Sequence, residues 1–241
     1  MIARNEDFGI NNWNKYLEYR AAQDNEEGEW KLGNGLVAPM PKHFFAYSAI
    51  PDWDAKTVDS DGKFYEERGI NEHNVAISAT TSAEINEKVA KVDPLVENGV
   101  IEAIIPTLLL PQATSAKQAV ELLGNYIETY GAGEGNSLYI ADINEAWLFE
   151  IGSGHHWIAV KVPDDSYAMI ANGLRVHGVD LSSKGVLHSK GMFEFVTDNK
   201  LLDKADKKSF NFAKAFGVIG DEYNIDREWL GQKMLTPSKH Q

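Results

Sequence analysis

No cysteine occurs among the 241 residues. That absence excludes disulfides, thiolate metal ligands and a cysteine nucleophile within the chain as written. Basic clusters are scarce too: the net charge is -13 and the longest Lys/Arg run is Lys207-Lys208. Nothing in the sequence can neutralise a phosphate backbone, so no nucleic-acid partner is expected. Long apolar runs are also missing. The stretch "VIEAIIPTLLLP" carries Glu102 and two prolines and is too short to cross a bilayer. The start of the chain lacks the basic-then-apolar order of a signal peptide, so the expected setting is cytoplasmic, without a membrane partner. What is present, 43% hydrophobic and 24% charged residues, is ordinary soluble composition and supports a substantial core. The chain reads as one domain over residues 1–241.

The pattern of periods predicts an α+β fold. Residues 11–33 are polar and acidic, as expected of a surface excursion. Strand signals follow in "HFFAYSAI" and in "GINEHNVAISATT", the second a hairpin with Asn71-Glu72-His73-Asn74 at its turn. From Ser82 the period lengthens. "SAEINEKVAKVDPLVENGV" predicts two short helical pieces divided by Pro94, the second closed by Asn98-Gly99. Ala116, Ala119, Val120, Leu123, Ile127 and Tyr130 share one face of a longer helix that stops at Gly131. Four runs then predict consecutive antiparallel strands: "SLYIAD", "EAWLFEIG", "HHWIAVKVP" and "SYAMIAN". "GMFEFVTDNKLLD" and "SFNFAKAFGVIG" read as later helices. Helices layered on antiparallel sheet is the expected architecture.

Candidate chemistry is sparse. His155 and His156 are adjacent on a predicted strand and point to opposite faces, so no metal site is expected from them. "GAGEGNS" lacks the Gly-Lys-Ser/Thr ending of a phosphate loop and reads as a helix-to-strand connection, leaving no cofactor site. Arg4 and Asp7 in "ARNED" form either a charged turn or a charged pair at a site mouth, and their spacing leaves both open. Asn172 in "MIANGLRV" is likewise a strand-end turn residue or a donor to an oxyanion.

Taken together, "MIARNED", "PDWD", "GINEHNVAISAT", "ADINEAWLFEIGSGHHWIAVKVPDDSYAMIANGLRV" and "EWLGQKML" occur in an order that resembles the bacterial dipeptidase A family. These are N-terminal-nucleophile cysteine hydrolases related to the bile-salt hydrolases and penicillin V acylases. The resemblance covers nearly the whole chain, with Ala141–Val176 its most specific block. It implies an αββα sandwich in which a leading cysteine attacks the peptide bond of a small peptide, its own α-amine acting as base. On this resemblance Arg4 lies beside the sulfur, Asp7 holds the α-amine, and Asn172 stabilises the oxyanion. Asn74 stands where the family hairpin usually has glycine, a change a left-handed turn tolerates. Thr81 stands where the bile-salt hydrolases place a further asparagine and is assigned no role.

The resemblance also places the nucleophile a short way upstream of "ARNED" and more chain beyond "GQKML". Met1 offers only a thioether and Ile2 nothing reactive. The expectation is therefore a truncated dipeptidase domain, inactive by itself, through gene truncation, frameshift or a wrong start codon. The competing expectations are another amide hydrolase of the superfamily acting on acylated amino acids, and a non-catalytic remnant or binding module. A homo-oligomer is compatible with each.

Overall fold

A computed structural model describes residues 2–4, 16–51, 65–79, 83–218 and 222–236. The strands among them are β1 (Glu18–Arg20), β2 (Gln23–Asp24), β3 (Glu29–Lys31), β4 (Val37–Pro39), β5 (His43–Phe44), β6 (Tyr47–Pro51), β7 (Glu66–Asn71), β8 (Ala76–Ala79), β9 (Asn136–Ala141), β10 (Ala146–Ile151), β11 (Trp157–Lys161) and β12 (Val186–His188). The helices are α1 (Glu87–Val92), α2 (Ile105–Leu109), α3 (Ala116–Tyr130), α4 (Met192–Asp198), α5 (Phe212–Phe216) and α6 (Glu222–Leu235), with a 3₁₀ turn at Glu102–Ile104 before α2.

One eight-stranded sheet, ordered β1-β6-β7-β8-β9-β10-β11-β12 and antiparallel at every pairing, organises the molecule. Its register follows from alternation. Ile77, Ala79, Leu138, Ile140, Trp147, Phe149 and Ile151 point one way and meet the apolar stripe of α3 and the side chains of α2 in a first core. On the other face Ile158 joins Leu174, Val176, Met192, Val196, Phe210, Phe212 and Phe216 in a second core. Alternate residues on that face are polar: Ser78, Ser137, Tyr139 and Glu150.

The predicted hairpin is present. Asn74 sits at its turn with φ 60°, a conformation asparagine reaches more readily than other residues with a Cβ. Asn71 fixes the turn: its Oδ1 accepts from His73 N and Val75 N, both at 3.0 Å. Its Nδ2 donates to Leu110 O (2.8 Å) and Ala113 O (2.7 Å), tying the hairpin to the helices that cross the sheet. α3 matches its expected face and stop. Ser115 caps it by accepting from Gln118 N, and Gly131, at φ 79°, closes it.

Several expectations are corrected. After Pro94 no second helical piece forms: Val96 N donates to Ala132 O (2.8 Å), and Val100 bridges to Ala132 in parallel. The main chain there bonds to the segment after α3 instead of to itself, and the next helical turns wait until Glu102. "SYAMIAN" is not a strand: the amides at its end, Ala171 and Asn172, are taken by Glu228 and Asn224 of α6, and the strand beside β11 is β12. The acidic stretch expected as surface excursion supplies β1, which borders the main sheet, and β2 and β3, which pair in two small ribbons. The two late helices are shorter than expected. α4 ends at Asp198, and α5 ends at Phe216 where Gly217 N turns back to Ala213 O. The α6 region received no element from sequence.

Candidate active site

The segment 167–176 lies over the polar face of the sheet, and most main-chain groups between Ala171 and Val176 are held by side chains. From the sheet, Ser137 Oγ donates to Gly173 O (3.0 Å), and Glu150 accepts from Arg175 N (2.6 Å) and Val176 N (3.1 Å). From α6, Glu228 Oε1 accepts from Ala171 N (3.0 Å). Asn224 brackets Asn172, its Oδ1 accepting from Asn172 N and its Nδ2 donating to Asn172 O, both at 3.0 Å. Arg227 Nη1 donates to Asn172 Oδ1 (2.9 Å), which fixes the plane of that carboxamide. Glu228 Oε2 also takes Arg175 Nε at 2.6 Å. Successive turns of α6 thus present Asn224, Arg227 and Glu228 at three- and four-residue spacing along one inward face.

Arg4 lies at the end of β8. Its Nη1 donates to Ala79 O, and both terminal nitrogens lie 3.4 Å from Glu102 Oε1, with Glu67 Oε2 at 3.9 Å. Its side chain is 12% exposed, so the cation sits between two carboxylates in a largely desolvated setting. Glu102 is held in turn, its N donating to Glu134 Oε2 (3.2 Å). Ala79 is the register partner of Leu138, and Ser137, which holds Gly173, is the next residue on β9. Arg4 and the Asn172 segment are therefore attached to the same end of the β8–β9 pair. Asp7 and Thr81 lie outside the described residues.

Electrostatics distinguish the buried acid. Glu150 is fully buried, and burial raises its pKa to about 7 against the pull of the Arg175 and Val176 amides and the Arg175 cation. Burial also pushes the Tyr139 hydroxyl upward, helped by the charges of Glu228 and Glu150. The histidine pair is engaged separately: His155 Nδ1 meets Asp93 Oδ1 (2.7 Å), while His156 Nδ1 meets Ser189 Oγ (2.9 Å) and its ring lies on Phe195. Asp93, although burial works against it, is held below the usual carboxylate range by the Ser153 hydroxyl and by His155. Among the described residues no group of three His, Cys, Asp or Glu could hold a metal ion, and no helix is long and apolar enough to cross a membrane.

The sequence reading named Arg4 and Asn172 and missed Ser137, Glu150, Arg175, Asn224, Arg227 and Glu228. Glu150 had a signal, an acid inside the apolar run "AWLFEI". α6 had one as well, polar residues recurring at three- and four-residue spacing beside exposed apolar ones.

A model of peptidase family C69 matches residues 1–241. The chain belongs to this family. Within it the chain is similar to a probable dipeptidase of Latilactobacillus sakei, 39% identical over 242 residues that cover 98% of this chain and 50% of that protein. A probable dipeptidase B of Streptococcus pyogenes serotype M1 is 37% identical over 227 residues, 93% of this chain and 44% of its own. A dipeptidase of Bifidobacterium longum is 33% identical over 259 residues, 98% of this chain and 48% of its own. The chain spans about half the length of these curated relatives.

Proposed function

We propose that the chain carries the substrate-polarising part of a dipeptidase that works as an N-terminal-nucleophile hydrolase. The single observation that carries this reading is that Arg4 and the Asn172 segment, remote in sequence, attach to neighbouring residues of one strand pair. In this reading the Arg4 guanidinium favours a thiolate, Asp7 holds the α-amine that accepts its proton, and Asn172 donates to the oxyanion of the tetrahedral intermediate. Arg227 and Asn224 hold the Asn172 carboxamide in place through the bonds described above. The fold that goes with the mechanism is an αββα sandwich formed as one domain. The setting is cytoplasmic, the substrate a small peptide, and no nucleic acid is involved; self-association into a homo-oligomer is compatible with it.

The sulfur nucleophile is not among these 241 residues, which contain no cysteine. Oxyanion donors and positioning alone leave only a small remainder of catalysis. The expected result is that the 241-residue chain does not turn over dipeptides, whereas the same chain extended upstream by a strand with a leading cysteine, and downstream to the length of its relatives, does. Replacing that cysteine by alanine should abolish the activity. Turnover by the short chain that thiol reagents leave unchanged would overturn the mechanism. Preference of the extended protein for N-acyl amino acids over dipeptides would favour the other amide hydrolases of the superfamily.

A further inference from the structure

Two buried hydrogen-bond donors on the polar face of the sheet lack acceptors: the Tyr139 hydroxyl and Arg175 Nη2. Folding rarely leaves such groups unpaired, since each has given up its water without replacement. Their surroundings point to the acceptor they suit. Tyr139, Leu148 and Val160 form one row across β9, β10 and β11, in register. Leu148 and Val160 floor a cavity of about 210 Å³ whose walls include Val176 and whose polar lining includes Lys161, Arg175 and His177. Among the described residues lining it there is no carboxylate.

The Arg175 side chain is fixed beside the candidate catalytic amide. Its Nε bonds Glu228 and its Nη1 donates to Leu174 O (3.1 Å). Nη1 and Nη2 lie so close over Gly173 that a Cβ on that residue would be 3.0 and 3.1 Å from them. Gly173 follows Asn172 directly. In a dipeptide only the amide nitrogen and one Cα separate the scissile carbonyl carbon from the terminal carboxylate. A carboxylate site must then lie about one residue's length, roughly 3.8 Å, from the oxyanion donor. The Arg175 guanidinium lies over Gly173, the residue after Asn172, Tyr139 stands two residues along β9 from Ser137, which holds Gly173 O, and an apolar side chain of the same substrate residue would enter the cavity over Leu148 and Val160. The cavity is below the range of about 300–1,000 Å³ usual for larger ligands, which suits one amino-acid side chain.

We infer that Tyr139 and Arg175 form the recognition site for the free C-terminal carboxylate of the substrate, with Leu148, Val160 and Val176 receiving an apolar C-terminal side chain. The inference rests on the dipeptidase reading and names its substrate class: dipeptides with a free carboxylate and an apolar second residue. Charge-assisted bonds from two desolvated donors would give the carboxylate its preference over a neutral amide.

Equilibrium binding tests this on the 241-residue chain, because binding needs no nucleophile. Calorimetric titration with Ala-Leu should show saturable binding, and Ala-leucinamide should bind about tenfold more weakly or worse. Tyr139→Phe removes only the hydroxyl. It should keep the melting temperature of the unliganded chain, lose about tenfold in Ala-Leu affinity, and lose less in affinity for the amide, whose neutral carbonyl makes the weaker bond. Equal binding of acid and amide, unchanged Ala-Leu affinity in Tyr139→Phe, or no binding of Ala-Leu would each overturn the inference. Failure of the dipeptidase reading shows elsewhere, as an extended cysteine-bearing protein that binds these ligands yet cleaves no dipeptide.

Discussion

Glu150 shows how one residue can link the sheet to the site. It faces the polar side of β10, has no exposure, and accepts the amides of Arg175 and Val176. Because burial raises its folded pKa to about 7 from an ordinary 4.5, the folded state holds the Glu150 proton more tightly than the unfolded chain does. The stability this supplies is complete below pH 4.5 and is lost as pH rises through about 7. Glu150→Gln keeps an acceptor for both amides and removes the titration. Wild-type stability relative to that variant should therefore fall between about pH 4.5 and 7.5, by roughly 3 kcal/mol if the full shift is expressed. Urea unfolding of both proteins across that interval checks it, and a flat difference would mean that Glu150 is no harder to ionise in the fold than in the open chain. Asn224 offers a second test at this scale. Its carboxamide bonds both main-chain groups of Asn172, so Asn224→Ala should cost about 1–3 kcal/mol, the range for buried partners left unpaired. Asn224→Asp, which keeps the acceptor for Asn172 N and loses the donor to its carbonyl, should fall between alanine and wild type.

Among the elements, α3 is the one whose sequence most plainly states its structure. Its stripe approaches the sheet closely at Gly124, where a Cβ would overlap the ring of Trp157. That ring is pinned, stacked on Phe149 with centroids 4.9 Å apart and held by its Nε1 donating to Glu128 Oε1 (3.1 Å). Gly124→Ala should destabilise the chain although alanine is the better helix former, because overpacking costs about 1–3 kcal/mol against a propensity gain of about 1 kcal/mol. Thermal unfolding followed by circular dichroism would show it, and a stabilised variant would mean that helix and sheet are less tightly apposed.

The same comparison marks what the sequence disclosed. Elements whose bonds are made within themselves or with the next strand were legible: α3, the hairpin β7–β8 with Asn71 and Asn74, and the run β9–β11. Those completed by distant partners were not. "SYAMIAN" has the alternation of a strand, but the amides of Ala171 and Asn172 at its end are taken by Glu228 and Asn224, far along the chain. The peptide after Pro94 has the caps of a helix and bonds instead to Ala132. Arg4 and Asn172 could be named from the family motif, whereas Ser137, Asn224 and Glu228 reach the site only through the fold, with no local pattern to announce them.

At the scale of the whole molecule, one sheet carries a packed core on each face, and β10 and β11 send alternate side chains into both. Removing a large group from either should be felt globally. Phe216 is fully buried in the second core and stacks on Phe212 at 4.4 Å, so Phe216→Ala should cost about 3–5 kcal/mol. The loss should appear as an earlier single transition by circular dichroism, with the sheet and helix signals moving together. Two separated transitions would show that the faces unfold independently.

The polar inward face of α6 has one more consequence, for how that helix comes away. Its hold on the site is made mostly through Asn224, Arg227 and Glu228, while Ile225, Trp229, Leu230 and Met234 already meet solvent. Detachment would wet carboxamide and guanidinium groups more than hydrocarbon. Newly hydrated polar surface lowers the heat capacity where apolar surface raises it, and little new area gives denaturant little to act on. Release of α6 should thus show a small or negative heat-capacity change and almost no urea dependence. Deuterium uptake at the Ala171 and Asn172 amides should be governed by this shallow local opening, while the amides of β9 and β10 wait for the steep, urea-sensitive unfolding of the sheet.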